Sequence, residues 1–348
     1  MTARVSAGRL APDGRDPSDD NRSPALRGGS ALAVAIGAVL LVLPAATSHY
    51  GLSVATTMLY LAFTGQAWNV MMGFAGQLSL GHALYVGLGA YVAGGLFAHL
   101  GIGPWLGLWA GMAAAVASGA LIGWLAFRFR VAGVYFAVLT IASAEFTRIG
   151  FDHLEWTGGP AGLFLKVAQR DSIDLLNLRG PPAMYYYAML VLALGALWLC
   201  ARLLRSRVGY YWLAIREDEQ AAAALGIPTL RFKLLAVVVS AALTSIAGVF
   251  MAFYKNSLFP EQAFDMGRSI EIILAPIIGG LGTLIGPVLG AFVLTLLGEG
   301  TSELLKLAGL ELPGMKQVVY GLVLLFTVSF LPNGLWPPLS RALGKRAS

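Results

Sequence analysis

The sequence predicts an all-α protein, a polytopic transmembrane helical bundle of about ten membrane segments, some of them short or broken. Three observations carry that prediction. Of 348 residues, 57% are hydrophobic and 12% charged, whereas a soluble domain is about half apolar and about a quarter charged. Apolar runs close to the roughly 20 residues needed to cross a bilayer follow one another, parted by short polar clusters. Mean hydropathy is +0.72, with 43 glycines. Such a chain finds its solvent in lipid, which argues against a water-soluble enzyme.

The elements follow in order. Residues 1–30 alternate arginines (Arg4, Arg9, Arg15, Arg22, Arg27) with aspartates (Asp13, Asp16, Asp19, Asp20) and carry almost no aliphatic content, so they read as a disordered tail. A secretory signal ending near Thr47 is the other reading, but a thirty-residue lead and further spans weigh against it. The membrane domain, 31–336, contains apolar segments at 31–47, 51–72, 77–100, 104–127, 131–150, 183–203, 232–255, 270–281, 284–299 and 316–336. A polar loop, 204–231, interrupts it, and 337–348 is a basic tail. The stretch 270–299 reads as one long helix or as two short ones broken at Gly279, Gly280 and Gly282.

Charge gives the expected topology. The Arg-bearing tail, Arg128 and Arg130, the loop with Arg202, Arg205, Arg207 and Arg216, and Arg341, Lys345 and Arg346 are expected in the cytoplasm. The loop 151–182 balances Lys166, Arg170 and Arg179 against Asp152, Glu155, Asp171 and Asp174, and is expected outside. Both termini are cytoplasmic only for an even number of crossings, which favours splitting 270–299 into a hairpin. The net charge of +6 therefore reports topology in a multi-pass cell-membrane protein and does not point to nucleic acid. The single cysteine, Cys200, can form no intrachain disulfide.

Small residues recur at four-residue spacing, as in Gly107 and Gly111, Gly119 and Gly123, and Gly282, Gly286 and Gly290. Such stripes let helix backbones approach closely. The last set, with Pro287, also suits an interrupted helix at substrate depth. Polar side chains within spans are costly and therefore informative. Gln66, Asn69, Gln77, Ser79 and His82 are candidates to line a path, although His82 on its Gly-rich stretch also suits a packed core histidine. Glu145 precedes Arg148, and Arg268 precedes Glu271, at the spacing of a local helix pair. A Leu-Gly…Leu-Gly-Ala-aromatic-Val pattern at Leu80–Val92 returns at Leu281–Val293, which a duplicated architecture or chance in a Gly-rich chain would equally explain.

No metal-ligand spacing, no nucleophile elbow and no phosphate-cradling glycine loop is found; Gly344-Lys345 lacks the upstream glycines. The chain is read as no enzyme, with no catalytic residue, metal or cofactor of its own. Uphill transport driven by ATP would need another polypeptide to bind the nucleotide.

The most informative stretch is Gly209–Lys233, GYYWLAIREDEQAAAALGIPTLRFK. Arg216 to Leu225 contains four consecutive alanines and no β-branched residue, predicting one short helix, stopped by Gly226 and Pro228. Charge at its start and a small-residue face suit docking into a partner's groove; a solvated connecting helix is the plain alternative.

At these residues the sequence resembles the coupling, or EAA, loop of ABC importer permeases. The pattern Glu-Ala-Ala-x-x-x-Gly stands here as Gln220, Ala221, Ala222, Ala223, Ala224, Leu225, Gly226, with Gln220 replacing the family's Glu and Glu219 adjacent. Gly76–His82 (GQLSLGH), Gly133–Ala137, Thr157–Leu163, Ser269–Glu271, Gly279–Thr283 through Gly286-Pro287, and Phe330–Leu335 are similar to the permease subunits of branched-chain amino acid importers of the LivM type. The resemblance runs in order over roughly 30–336.

It implies an importer of branched-chain or related amino acids. Its partners would be a second homologous permease subunit, two cytoplasmic ATP-binding subunits that hold ATP and Mg, and an extracytoplasmic solute-binding protein. Arg216, Glu217, Asp218, Glu219, Gln220, Ala221, Ala222 and Gly226 would then receive the push of the ATPases. A urea, amide or sugar permease of the same superfamily and an ion-coupled secondary carrier are the alternatives.

Overall fold

A computed structural model describes residues 37–165, 174, 176–309 and 314–346. The expected tail at 1–30, the first residues of the 31–47 segment, and Lys166, Arg170 and Asp171 lie outside the described residues. Helix α1 (Gly37–Ala46) and the chain from Ser340 onward form a unit apart from the bundle of Thr47–Leu339.

The bundle opens with α2 (His49–Asn69), capped by the Ser48 hydroxyl, which accepts from Gly51 N at 3.3 Å. Its last turn widens over Val70–Phe74, with longer-range backbone bonds than an α-helix makes. Then follow α3 (Ala83–Leu100), α4 (Pro104–Arg128), α5 (Val134–Asp152) and α6 (Pro182–Leu204). Prolines at the first turns of α4 and α6 lack only an N–H the helix would leave unpaired. Two short helices, α7 (Arg207–Glu217) and α8 (Glu219–Ala224), lead into α9 (Thr229–Lys255). The chain closes with α10 (Pro260–Ala263), α11 (Met266–Gly279), α12 (Gly286–Leu307), α13 (Met315–Phe330) and α14 (Trp336–Arg346).

The only sheet among the described residues is one pair of two-residue strands, β1 (Leu163–Phe164) against β2 (Ser257–Leu258), antiparallel with Leu163 opposite Leu258. It ties the α5–α6 connection to the end of α9. In the same connection Asp174 and Arg179 bridge a tight turn, and the Asn177 amide holds the Asp174 carboxyl below the usual range.

The protein is an all-α membrane bundle. Among the described residues, six helices are long and apolar enough to cross a bilayer: α3, α4, α5, α6, α9 and α12. α2, α11 and α13 are not among them, α2 being diluted by Thr56, Thr57, Thr64, Gln66 and Asn69. α4 turns Trp105, Leu106, Trp109 and Leu121 outward, and α13 turns Leu322, Leu325, Phe326 and Phe330 outward, as lipid solvent permits.

Three expectations need correction. The apolar segment at 77–100 is helical only from Ala83. Its first six residues, Gln77–His82, run irregularly through the buried interior. The single helix expected over Arg216–Leu225 is two: Asp218 takes an extended backbone and its carboxylate accepts from Gln220 N (2.8 Å) and Ala221 N (3.0 Å), starting α8 afresh. Short polar side chains favour caps over helix interiors for this reason. Gly282 shares no helix face with Gly286 and Gly290, since it precedes α12 with φ +75°.

At the centre, α3, α4 and α9 touch through bare backbone. A Cβ at Gly89 would strike the Ser245 carbonyl, one at Gly111 would meet the Gly89 carbonyl, and one at Gly248 would strike the Val86 carbonyl. Lipid offers no hydrophobic push between helices, so this close approach supplies the van der Waals attraction. Tyr85, Tyr91, Phe253 and Phe264 fill the space beside these crossings.

Candidate functional site

Non-helical backbone at this depth must have its N–H and C=O groups satisfied by protein. In Ala75–His82 side chains do it. Thr140 Oγ1 accepts from Leu80 N (3.1 Å) and Gly81 N (3.2 Å), Trp68 Nε1 donates to Ser79 O (2.8 Å), and Ser269 Oγ accepts from Ala83 N (2.9 Å). Gln77 donates to Ala75 O at 2.9 Å. The His82 ring lies between Ser79 Oγ (3.1 Å from Nδ1) and Ser240 Oγ (2.8 Å from Nε2). Ser240 gives its one proton to Ala67 O at 2.8 Å, so it accepts from His82. That places a proton on Nε2, and in the neutral ring leaves Nδ1 to accept from Ser79.

A second irregular stretch separates α11 from α12. Asn69 spans it: Nδ2 donates to Thr283 O and Oδ1 accepts from Gly282 N, each at 2.9 Å. Thr283 Oγ1 donates to Gly280 O (2.8 Å) and accepts from Gly286 N (3.0 Å), closing the turn and pairing the first N–H of α12. Gly280 has φ +131°, and a Cβ on Gly279 would collide with the Gly286 carbonyl. The turn after α13 packs here too: Leu335 N donates to Ile278 O at 2.9 Å, and Gly334 lies against Gly280. Gly290 abuts the Ala275 carbonyl, and Pro287 occupies the first turn of α12.

α7 and α8 meet the bundle at this same end. Arg216 Nη1 donates to Gly73 O at 2.6 Å, and its Nη2 pairs with Glu217 at 2.8 Å. Glycines make the room: a Cβ on Gly76 would lie 3.0 Å from Arg216 Cγ, and one on Gly282 would lie 2.6 Å from its Nη1. Arg216 thus touches the widened turn of α2, the start of the irregular 75–82 stretch, and the α11–α12 break. One turn on, Glu219 receives the Lys233 ammonium, both oxygens at 2.9 Å, while that ammonium stands 4.5 Å over the Phe127 ring. Lys233 is buried and Glu219 half-exposed. Asp218 caps α8, Ala222 is buried in its face, and Glu217, Gln220, Ala221 and Gly226 are turned outward or partly so.

The residues expected along a path are all inside the packing: Asn69, Ser79 and His82 are 0% exposed, Gln66 1% and Gln77 8%. Asn69 and Gln77 hold irregular backbone, while Ser79 and His82 bond each other and His82 also bonds Ser240. The fifth, Gln66, has no well-formed hydrogen bond on either amide atom and lies beside the Cys200 thiol. Glu145 and Arg148 do pair, on an exposed face that also includes Asp152. Sequence reading gave no individual role to Trp68, Thr140, Lys233, Ser240 or Ser269, whose partners here stand between 11 and 186 residues away.

A family profile described as "Branched-chain amino acid transport system / permease component" matches residues 50–328. The chain belongs to that family. This permease is 30% identical over 340 residues to the high-affinity branched-chain amino acid transport system permease protein LivM of Escherichia coli K12, covering 90% of this chain and 77% of the relative. It is 29% identical to the Salmonella typhimurium LivM over 316 residues, or 84% and 72% of the two chains. A shorter likeness, 28% over 151 residues and 41% of the chain, links the permease to the autoinducer 2 import system permease protein LsrC of Photorhabdus luminescens. No solved structure matches.

Proposed function

We propose that this permease is the membrane subunit of an ATP-driven importer and forms the translocation path for branched-chain or related amino acids. It works with a second permease subunit, two cytoplasmic ATP-binding subunits and an extracytoplasmic solute-binding protein. It has no ATPase site of its own. The likeness to two LivM proteins over most of the chain favours this substrate class over the sugars, urea or amides of related permeases, since the LsrC match stops at 41%.

The observation that carries the mechanism is the Arg216–Gly73 bond. α7 and α8 are the element that the ATP-binding subunits grip, and α8 starts at a carboxylate cap that lets it tilt as a unit. A force on α8 passes through the Glu219–Lys233 pair into α9, and through Arg216 into the Asn69–Gly282 junction. Closure of the ATPases then shifts α11 and α12 relative to α2, and the path opens to one side or the other. Linkage demands that the two states differ in contact free energy at this element.

In this reading all ten helical segments, α1 to α6, α9, and α11 to α13, are membrane segments, with α11 and α12 as an interrupted hairpin. Both termini and α7–α8 face the cytoplasm; the β1–β2 pair faces outside and meets the binding protein. Gln66, Asn69, Gln77, Ser79 and His82 stand behind the path as its support, and Gly279, Gly280, Gly282, Gly286, Pro287 and Gly290 form its hinge.

Proteoliposomes test the reading. Leucine uptake that requires ATP, the binding protein and the ATP-binding subunits is the expected result; gradient-driven uptake by this chain alone would instead identify a secondary carrier. Cysteine crosslinks from Ala223→Cys should capture the ATP-binding subunit.

A further inference from the structure

Away from Arg216, at the end of the bundle that holds β1 and β2, a cleft of about 440 Å³ opens between α11 and α13. Its size falls among the roughly 300–1,000 Å³ clefts that take small molecules. Ile270, Leu274 and Leu324 give it an apolar wall, while Arg268 and Glu271 bring opposite charges to it from one helix. At three-residue spacing these two would ordinarily pair. They do not: Arg268 Nε donates to the Gln262 carbonyl at 3.1 Å, and Glu271 has no hydrogen-bond or ion-pair partner among the described residues.

An unpaired carboxylate within a membrane segment is costly and marks a functional position. The buried Tyr60 hydroxyl, close to both charges, also has no well-formed hydrogen bond. Asp265, Lys255 and Lys316 surround the pair without closing on it. A ligand that brings one cation, one anion and an aliphatic group would satisfy every one of these groups at once.

We infer that Arg268 and Glu271 form a binding station for the zwitterionic head of a free aliphatic amino acid, the α-carboxylate on Arg268, the α-ammonium on Glu271, and the side chain along Ile270, Leu274 and Leu324. The inference rests on the import reading above and names where, within this chain, the substrate is held. Two single charges on one helix bind transiently, which suits a path from which the solute must leave.

The test uses the whole chain. In nanodiscs, a hydrophobic carbodiimide should modify Glu271, and millimolar L-leucine should slow that modification severalfold. 4-Methyl-2-oxopentanoate, which lacks the ammonium, should not. In the reconstituted importer, Glu271→Gln and Arg268→Gln should each lower leucine uptake at least about tenfold, whereas Glu145→Gln on the outer face of α5 should not. Assembly with the partner subunits monitors folding. Wild-type uptake in both variants, or equal protection by the keto acid, overturns the station. Protection by leucine in a protein that fails at ATP-driven import would keep the station and overturn the import reading instead.

Discussion

Lys233 and Glu219 join α8 to the base of α9, the ammonium 2.9 Å from both carboxylate oxygens and stacked over Phe127. The lysine is buried and the acid half-exposed, so solvent screens the pair and its net contribution is on the order of 1 kcal/mol. Losing the acid is worse than losing both partners, because the ammonium then stays buried alone. Glu219→Gln should therefore melt below both the wild type and Glu219→Gln with Lys233→Met, a non-additivity that thermal unfolding in detergent will read.

Asn69 clamps the α11–α12 junction with two hydrogen bonds. Asn69→Leu removes both and leaves Gly282 N and Thr283 O unpaired at a part-buried junction, a loss of at most about 1–3 kcal/mol for each unsatisfied group. Asn69→Asp retains the acceptor for Gly282 N and places a second acceptor against Thr283 O. Both variants should unfold earlier, and both should raise hydrogen exchange at Gly282 more than at Gly89.

Two glycines, one inside α12 and one just past α8, tolerate replacement differently. Gly290→Ala drives a methyl into the Ala275 carbonyl, so we expect no monodisperse protein by size-exclusion chromatography. Gly226→Ala meets no atom and suffers only the strain of φ +86°, about 1–2 kcal/mol, so it should purify normally.

His82 should carry its proton on Nε2, since Ser240 has already committed its own to Ala67. Nitrogen chemical shifts of the labelled ring report the tautomer directly. Ser240→Ala removes that acceptor and should shift the equilibrium toward Nδ1–H, donated to Ser79.

Sidedness can be read with an impermeant maleimide, because Cys200 is buried and gives a quiet background. Trp156→Cys should react in intact cells. Ala223→Cys should react only after the membrane is opened.

Much of the helical frame was legible in the sequence: apolar length and flanking proline or glycine locate α4, α6 and α9 to within three residues. Gln77–His82 was not. Its Leu and Gly content continues the apolar run, and the side chains that satisfy its backbone, Thr140 and Ser269, come from elements far along the chain. Asp218 carried a local signal, a capping residue before Glu-Gln-Ala, but the alanine run beyond it masked the stop. Glu219 was visible as an acid beside the loop motif, whereas its partner Lys233 looked like one more positive charge at a membrane boundary.

The bare-backbone crossings of α3, α4 and α9 also bear on how such a molecule deforms. With carbonyls seated on α-carbons and no flexible side chain between them, these three rods cannot slip past each other without collision. They act as a keel. In the import mechanism proposed above, rocking would fall to the glycine-jointed α11–α12 pair, pivoting against this spine.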